Sequence, residues 1–218
     1  MQRDSEEDVP SGTLFYIDVA DLEQTRRRVR EAGGEILVEE MAVPEMGVFT
    51  IFRDPGGITE AAWETRLEGA EQGEDSPVFT DDPDAGSITH FEFYSDDTEA
   101  SRSFHEAVFG WTFESIDDDA YTMIRPPTPP TGGLLPATPE LPTGTLVYLL
   151  VDDAEASCST IEEAGGRILR EPFDVDGWGI MAVCEAPGNV VLAVWESAPE
   201  STERQPAGES TVIPEGQH

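Results

Sequence analysis

The feature that most constrains the fold of this 218-residue chain is an internal repeat. Gly144 to Glu196 aligns without a gap with Gly12 to Glu64. Identical residues stand at corresponding positions throughout: Thr145/Thr13, Tyr148/Tyr16, Asp153/Asp21, Gly165-Gly166/Gly33-Gly34, Pro187-Gly188/Pro55-Gly56 and Trp195-Glu196/Trp63-Glu64. A third copy lies between them, because Asp96 to Ser103 aligns with Asp152 to Ser159. Repetition that stays in register over this length indicates one structural unit used three times.

The pattern within one copy predicts a strand, a helix and three further strands. Leu146 to Val151 is apolar, and the Asp152-Asp153 pair that follows can cap a helix start. The helix is expected to end at Gly165-Gly166, where glycine tolerates the positive φ of a helix terminus. Three extended segments follow, around Ile168, Ile180 to Cys184, and Val190 to Trp195.

The sequence therefore predicts an α+β fold built from βαβββ units. We name them unit A (about Gly12 to Glu64), unit B (about Ser87 to Pro136) and unit C (Gly144 to Glu196). The predicted boundaries are 1–11 for a disordered N-terminus, 12–66 for unit A, 67–86 for an acidic linker, 87–197 for a module of units B (87–136) and C (144–196), and 198–218 for a polar tail.

Alternation in the first strand of each unit separates two faces. Phe91 and Phe93 of unit B are uniformly apolar and are expected to face the helix, whereas His90, Glu92 and Tyr94 point the other way. This mixed set is expected to line the concave side of the sheet, where a ligand would bind. In unit C the same side carries Leu146, Tyr148 and Leu150.

Several segments of unit B resemble one known family. They are Ile88 to Phe93, Phe104 to Trp111, Met123 to Arg125 and Gly132 to Pro136, together with Phe52 to Gly57 of unit A. They look like the glyoxalase/bleomycin-resistance/dioxygenase module of the vicinal oxygen chelate (VOC) superfamily. The resemblance extends over almost everything between Gly12 and Ser197.

The resemblance implies that two βαβββ units pair to close one cupped barrel. Units B and C can do so within the chain, which leaves unit A without a partner and with an exposed apolar face. Two outcomes are open: two chains pair their A units across a two-fold axis, or a unit that once preceded Gly12 is missing and unit A packs elsewhere. We favour the homodimer.

The resemblance also implies a divalent metal held by a His or Gln on the first strand and a Glu on the last strand of each unit. His90 occupies the first-strand position of unit B, but the last-strand position falls on Ala193 in unit C and on Ala61 in unit A. Glu60 is adjacent to Ala61 and is expected to point to the opposite face. One ligand of the usual set remains, so a complete metal site is not expected.

Two functions remain open. In the first, which we favour, the protein binds a small, partly aromatic molecule through five residues: His90, Glu92, Tyr94, Tyr148 and Trp195. The alternative is a metal-dependent lyase, isomerase or dioxygenase that uses Fe, Mn, Ni or Zn, with His90 as a ligand. The other histidine within a unit, His105, is expected to lie half exposed on the helix of unit B.

The charge of the chain limits its partners and its environment. Its 46 acidic residues against 12 basic ones, all of them Arg, give a formal charge of −34. Such a chain should repel nucleic acids and anionic membranes. Because the acidic residues are spread over all units, we favour adaptation to high salt, where self-repulsion is screened, of the kind found in halophilic proteins. The alternative is an acidic surface that recruits a ligand. The absence of an apolar leader predicts a soluble, cytoplasmic protein, and Cys158 and Cys184 are expected to be buried thiols.

Overall fold

The structure is a computed structural model. It describes residues 13–66, 84–116, 121–175, 177–188 and 190–198. The predicted disordered N-terminus, residues 67–83 of the predicted linker and residues 199–218 of the predicted tail lie outside these ranges.

The described residues form three helices and twelve strands, and a strand, a helix and three strands follow one another three times along the chain. In unit A they are β1 (Phe15–Asp18), α1 (Leu22–Glu31), β2 (Glu35–Val43), β3 (Gly47–Arg53) and β4 (Thr59–Thr65). In unit B they are β5 (Ile88–Ser95), α2 (Thr98–Phe109), β6 (Thr112–Ile116), β7 (Tyr121–Arg125) and β8 (Gly132–Pro136). In unit C they are β9 (Gly144–Leu150), α3 (Ala154–Glu163), β10 (Arg167–Asp174), β11 (Gly179–Ala186) and β12 (Val190–Ser197).

The strands form two sheets rather than the predicted barrel. Unit A supplies a four-stranded sheet of order β1-β4-β3-β2. Units B and C share an eight-stranded sheet of order β10-β11-β12-β9-β5-β8-β7-β6, joined where β5 runs antiparallel to β9. A barrel requires its outermost strands to hydrogen-bond to each other. Here β10 and β6 are the two ends of an open sheet, so the prediction of a closed barrel is wrong.

Each helix begins at an aspartate whose side chain accepts a hydrogen bond from the third residue that follows. The distances are 2.8 Å for Asp21, 3.0 Å for Asp97 and 2.8 Å for Asp153. In units A and C a glutamate from the last strand also accepts from the first helical amide, Glu64 from Leu22 and Glu196 from Ala154. This second cap gives the glutamate of the repeated Trp-Glu pair the same role in both units.

The largest hydrophobic core lies between units A and B. Leu22, Val29 and Phe52 of unit A are fully buried with Phe93 and Phe104 of unit B. Unit A therefore packs its helix-bearing side against the helix-bearing side of unit B. Unit C instead has a small core beneath α3, made of the buried residues Ala154, Cys158, Ala182, Cys184 and Val194.

The sheet of unit A carries a second apolar cluster on the face opposite α1. Phe49, Ile51 and Ala61 are buried there beside partly buried Trp63, whereas Tyr16 is 48% exposed. None of the three helices in the described ranges is long and apolar enough to cross a membrane.

Candidate functional site

The predicted ligand-binding residues of units B and C lie at the junction of β5 and β9. In this antiparallel pair His90 is opposite Tyr148, and Glu92 is opposite Leu146. Phe91 and Phe93 alternate with them and enter the core beneath α2. His90, Glu92 and Tyr94 therefore project from the other side of the sheet, which we call the helix-free face.

Glu92 is the centre of a buried hydrogen-bonded group. The Tyr94 hydroxyl donates to Glu92 Oε2 at 2.6 Å, and the Tyr148 hydroxyl is also hydrogen-bonded to this carboxyl group. All three side chains are buried. Burial raises the pKa of Glu92, although the bonds from the two tyrosines oppose the shift. Burial thus favours the neutral acid, whereas the two hydroxyl groups that bond to Glu92 favour the carboxylate.

His90 lies beside this group and is uncharged at neutral pH. Burial lowers the pKa of His90 to about 4. Its Nε2 atom is 2.8 Å from the hydroxyl of Tyr121, and its ring is edge-on to Tyr148 with centroids 5.3 Å apart. His90 is thus part of a neutral network of ring nitrogens and hydroxyls.

Tyr121, on β7, is a member of this network that the sequence analysis missed. It reaches His90 across Gly133 of β8, where a Cβ atom would overlap the Tyr121 hydroxyl and come within 2.6 Å of Cζ. A glycine inside a strand signals such a close approach. Gly132-Gly133 could therefore have indicated a large side chain lying over β8, but not which one.

Trp195 lies at the apolar end of the same face. It packs with Met181 and Val191 against the buried cluster that contains Tyr148 and Ala193, and its Nε1 donates to Ser197 Oγ at 3.1 Å. The structure therefore brings together His90, Glu92, Tyr94 and Tyr148 through direct contacts. Trp195 borders them through the apolar cluster.

Most of the helix-free face is filled by its own side chains. Leu135, Ala137 and Leu141, from β8 and the segment after it, pack over the cluster of Tyr94, Leu146 and Tyr148. Open space adjoins this cluster in a cavity of about 260 Å³, which we call the end cavity. It is lined by Tyr94, Leu146 and Val191, by Glu140 to Thr145, and by Thr13, Leu14, Gly57 and Thr59 of unit A.

The residues at the metal-ligand positions implied by the resemblance do not fit a divalent ion. Ala193 is buried beside Tyr148 in the last-strand position of unit C, and Gly133 lies opposite Glu92 in the last strand of unit B. Neither offers a donor atom, and the carboxyl group of Glu92 is engaged by two tyrosines. In the described ranges no group of three or more His, Cys, Asp or Glu side chains is arranged to hold a metal.

A second buried polar group joins units A and B. The prediction that His105 is half exposed is wrong: His105 is 1% exposed, because unit A covers this side of α2. Its Nε2 lies 2.9 Å from Oε2 of the fully buried Glu60. Glu60 does point to the face opposite Ala61, as strand alternation indicated. Nothing in the residue pattern around Glu60 indicated that another unit would meet it there.

Two family models match parts of the chain. The model described as the glyoxalase/bleomycin resistance protein/dioxygenase superfamily matches residues 3–60, and the model described as bleomycin resistance protein-like N-terminal matches residues 87–127. Among curated proteins, "Putative glyoxylase CFP32" of Mycobacterium bovis is 28% identical over 85% of this chain and 69% of its own length. The anthracycline biosynthesis protein DnrV of Streptomyces peucetius is 31% identical over 50% of this chain and 46% of its own length.

Solved structures share the fold at low sequence identity. The Mn(II)-bound glyoxalase of Novosphingobium aromaticivorans has a TM-score of 0.55 and 17% identity, with 84% of this chain and 62% of that chain covered. The 2,3-dioxygenase LapB of Pseudomonas sp. KL28 has a TM-score of 0.56 and 12% identity, with 90% and 74% covered. This chain thus spans less than two thirds of the glyoxalase structure. Together, the family models and the fold support a relationship to the VOC superfamily.

Proposed function

We propose that the protein is a VOC-type binding protein that holds a small organic molecule on the helix-free face of units B and C, without a catalytic metal. His90, Glu92, Tyr94, Tyr148 and Trp195 would form the binding surface. The observation that carries this proposal is the bonding of Glu92, whose buried carboxyl group is held by Tyr94 and Tyr148. The group is built to offer hydrogen bonds rather than ligand atoms for an ion.

The relatives support a role in small-molecule chemistry. Both family models that match the chain name bleomycin resistance, and one of the relatives is named for anthracycline biosynthesis. The aromatic side chains beside Glu92 would suit a ligand with a ring system, since aromatic pairs add to the energy of area burial.

The second candidate is a divalent-metal-dependent lyase, isomerase or dioxygenase. The fold it shares with a Mn(II)-bound glyoxalase and a 2,3-dioxygenase favours this function, as does the place of His90 on the first strand of unit B. Fe, Mn, Ni or Zn would have to find further ligands outside the described residues or from another chain.

Metal analysis and ligand binding on the same sample separate the two functions. We expect purified protein to contain Fe, Mn, Ni and Zn well below one equivalent, and an aromatic probe to bind with an affinity that falls in Tyr94→Phe. Thr112→Val, an exposed change on β6, is the control. Stoichiometric metal that is lost in His90→Ala would refute the binding protein and support the enzyme.

We also propose that the three stretches are copies of one motif, and that unit A pairs with unit A of a second chain. The identical element order and the shared Asp caps support the first statement. The second is supported by Tyr16 and Met46, which are 48% and 56% exposed. Light scattering in molar salt should give a dimer that dissociates in Tyr16→Glu. A monomeric wild-type protein would contradict it.

A further inference from the structure

The first strand of unit A, β1, lies at the edge of its sheet. In the described ranges β1 pairs with β4 and with no other strand. The Val19 amide donates to the Trp63 carbonyl at 2.8 Å, towards β4. Because the backbone groups alternate in direction along a strand, those of Leu14, Tyr16 and Asp18 point away from β4. Edge groups of this kind form a template for pairing with another strand.

In unit C the corresponding edge is paired. The Val151 amide donates to the Trp195 carbonyl at 2.8 Å, which is the equivalent of the bond in unit A. The groups that point the other way bond to unit B, since the Leu150 amide donates to the Ser87 carbonyl at 2.9 Å. Units B and C thus cover each other's edge by placing first strand beside first strand.

The junction of β5 and β9 has the symmetry of a two-fold axis. Phe91 lies opposite Val147, and these two residues occupy the same position in their units. The flanking pairs are the two neighbouring positions in exchanged order: His90/Tyr148 and Glu92/Leu146. A two-fold rotation about the Phe91–Val147 pair therefore exchanges the two strands. Identical strands can adopt the same arrangement between two copies of one chain.

The exposure of equivalent side chains shows which edge lacks its cover. Tyr148 is 4% exposed, because Tyr94 and Leu135 of unit B pack with its cluster. Tyr16 stands at the same position of unit A and is 48% exposed, although its ring contacts Phe49 at a centroid distance of 5.6 Å. A second strand beside β1 would cover Tyr16 as β5 covers Tyr148.

Open space adjoins this edge. A cavity of about 570 Å³ is lined by Phe15 to Asp21 on one side and by Pro126 to Pro130 of unit B on another. Successive residues of a strand point to opposite faces, so a cavity that touches all of them lies along the edge. The described part of unit B therefore leaves room beside β1.

We infer that β1 pairs antiparallel with β1 of a second copy of this chain, about a two-fold axis at Phe15. Phe15 is the equivalent of Phe91 and Val147, so Leu14 of one chain would lie opposite Tyr16 of the other. The two four-stranded sheets would then form one eight-stranded sheet with the strand order of units B and C. The inference rests on the proposed pairing of two A units and adds the strand, its direction and its register.

Disulfide cross-linking tests the register. In the double variant Leu14→Cys/Tyr16→Cys each thiol faces a thiol of the other chain, at a Cα separation of about 5.5 Å that a disulfide can span. We expect mild oxidation in molar salt to give a covalent dimer that a reducing agent reverses. Either single variant should give at least about tenfold less, because equal positions are diagonal neighbours about 7–8 Å apart.

A matched control carries the same number of thiols out of register. Leu14→Cys/Asp18→Cys keeps both cysteines on one face but places neither opposite another, so it should cross-link no more than the single variants. The wild type should not cross-link, because Cys158 and Cys184 are buried.

Hydrogen exchange gives a second readout without any substitution. The Tyr16 amide points to the free edge, whereas the Ile17 amide points to β4. We expect the Tyr16 amide to exchange at least about tenfold more slowly in concentrated protein than after dilution has separated the chains. The Ile17 amide should be protected equally in both.

The outcomes separate the inference from the pairing on which it rests. Cross-linking confined to Leu14→Cys/Tyr16→Cys, with a concentration-dependent Tyr16 amide, would support it. If the protein is a dimer but the single variants or the out-of-register control cross-link equally well, the register is wrong and the pairing of A units stands. If it is a dimer whose Tyr16 amide ignores concentration, β1 is not the interface. A monomeric wild type would overturn both the inference and the proposed pairing.

Discussion

Units A and C carry the same Pro-Gly pair in the turn before their last strand, but the two turns have different surroundings. In unit A the turn after β3 lies against unit B: the Gly56 carbonyl accepts from the Asp96 amide at 2.9 Å and from Ser95 Oγ at 3.2 Å. A Cβ at Gly56 would overlap Ser95 Oγ and Ser101 Oγ. At the corresponding turn of unit C, a Cβ at Gly188 would meet no described atom within 4 Å.

The residues on either side of the turn also differ between the two units. Glu60 of unit A is buried against His105, whereas Leu192 stands at the corresponding position of unit C. Asp54 is likewise buried in unit A, with Oδ1 accepting from the Ile58 amide, and Ala186 takes its place in unit C. A shared backbone plan thus supports a buried polar junction in one unit and a small apolar core in the other. The difference follows from whether another unit packs on the helix side.

The largest effect expected is on transfer to low salt. With a formal charge of −34, the chain should lose its folded structure at about 10 mM ionic strength, where the screening length extends to roughly 30 Å. We expect α3, on its small core, to lose hydrogen-exchange protection before α1 and α2. Circular dichroism and hydrogen exchange across a salt series measure both. If the protein kept its full cooperative stability in dilute buffer, the expected unfolding at low salt would be wrong. If α1 and α3 lost hydrogen-exchange protection at the same salt concentration, units A and C would not differ in stability.

Removing Glu60 should be the most damaging single change at the junction. Glu60→Ala leaves His105 buried without its partner, at a cost of about 3–5 kcal/mol of unfolding free energy. Denaturant titration in molar salt measures it. The double variant Glu60→Leu/His105→Leu is the matched control and should recover much of the loss, because both polar groups are then gone. A single variant as stable as the wild type would show that the pair does not hold the units together.

Gly56→Ala should come next. The added methyl group must displace Ser95 and Ser101, and it would lie 2.8 Å from the Asp97 carbonyl oxygen, which is backbone and cannot easily move. Overpacking of this kind costs about 1–3 kcal/mol. Gly188→Ala is the comparison at the corresponding turn: its φ of +100° strains an alanine backbone, but no described atom overlaps the added methyl group. A Gly56→Ala variant as stable as the wild type would mean that unit B does not press on this turn.

The same comparison shows how far sequence reasoning extends. Strand alternation, the Asp caps and the Gly-Gly helix ends are local signals, and they predicted the element order and the helix-free face that carries His90, Glu92 and Tyr94. The burial of His105 and the approach of Tyr121 over Gly133 depend on which units meet, and contacts between distant parts of a chain leave no periodic pattern. The prediction of a closed barrel was wrong for the same reason, because closure depends on the curvature of the whole sheet, which no local pattern indicates.

The smallest effect expected is a pH dependence confined to the junction. His105 Nδ1 is 2.7 Å from the Ser101 carbonyl oxygen, which can only accept, so Nδ1 carries a proton and one further proton must lie between Nε2 and Glu60. Burial alone would lower the pKa of His105, but Glu60, the Ser101 carbonyl and Asp54 outweigh it and the pKa is raised. Burial also raises the pKa of Glu60. Both shifts mean that the folded pair holds its proton more tightly than the unfolded chain does.

The sign of the effect follows from this proton. The contribution of His105 to stability is fully present below its unfolded value of 6.5 and is lost as pH rises through the higher folded pKa. The aromatic rings of Phe93, Phe104, Phe109 and Trp111 that enclose His105 do not titrate in this range and add no slope. We therefore expect the stability difference between the wild type and the Glu60→Leu/His105→Leu double variant to decline above pH 6.5. If this stability difference instead grew with pH, the His105–Glu60 pair would not hold its proton more tightly in the folded protein. Unit A would then be held to unit B by the apolar core alone.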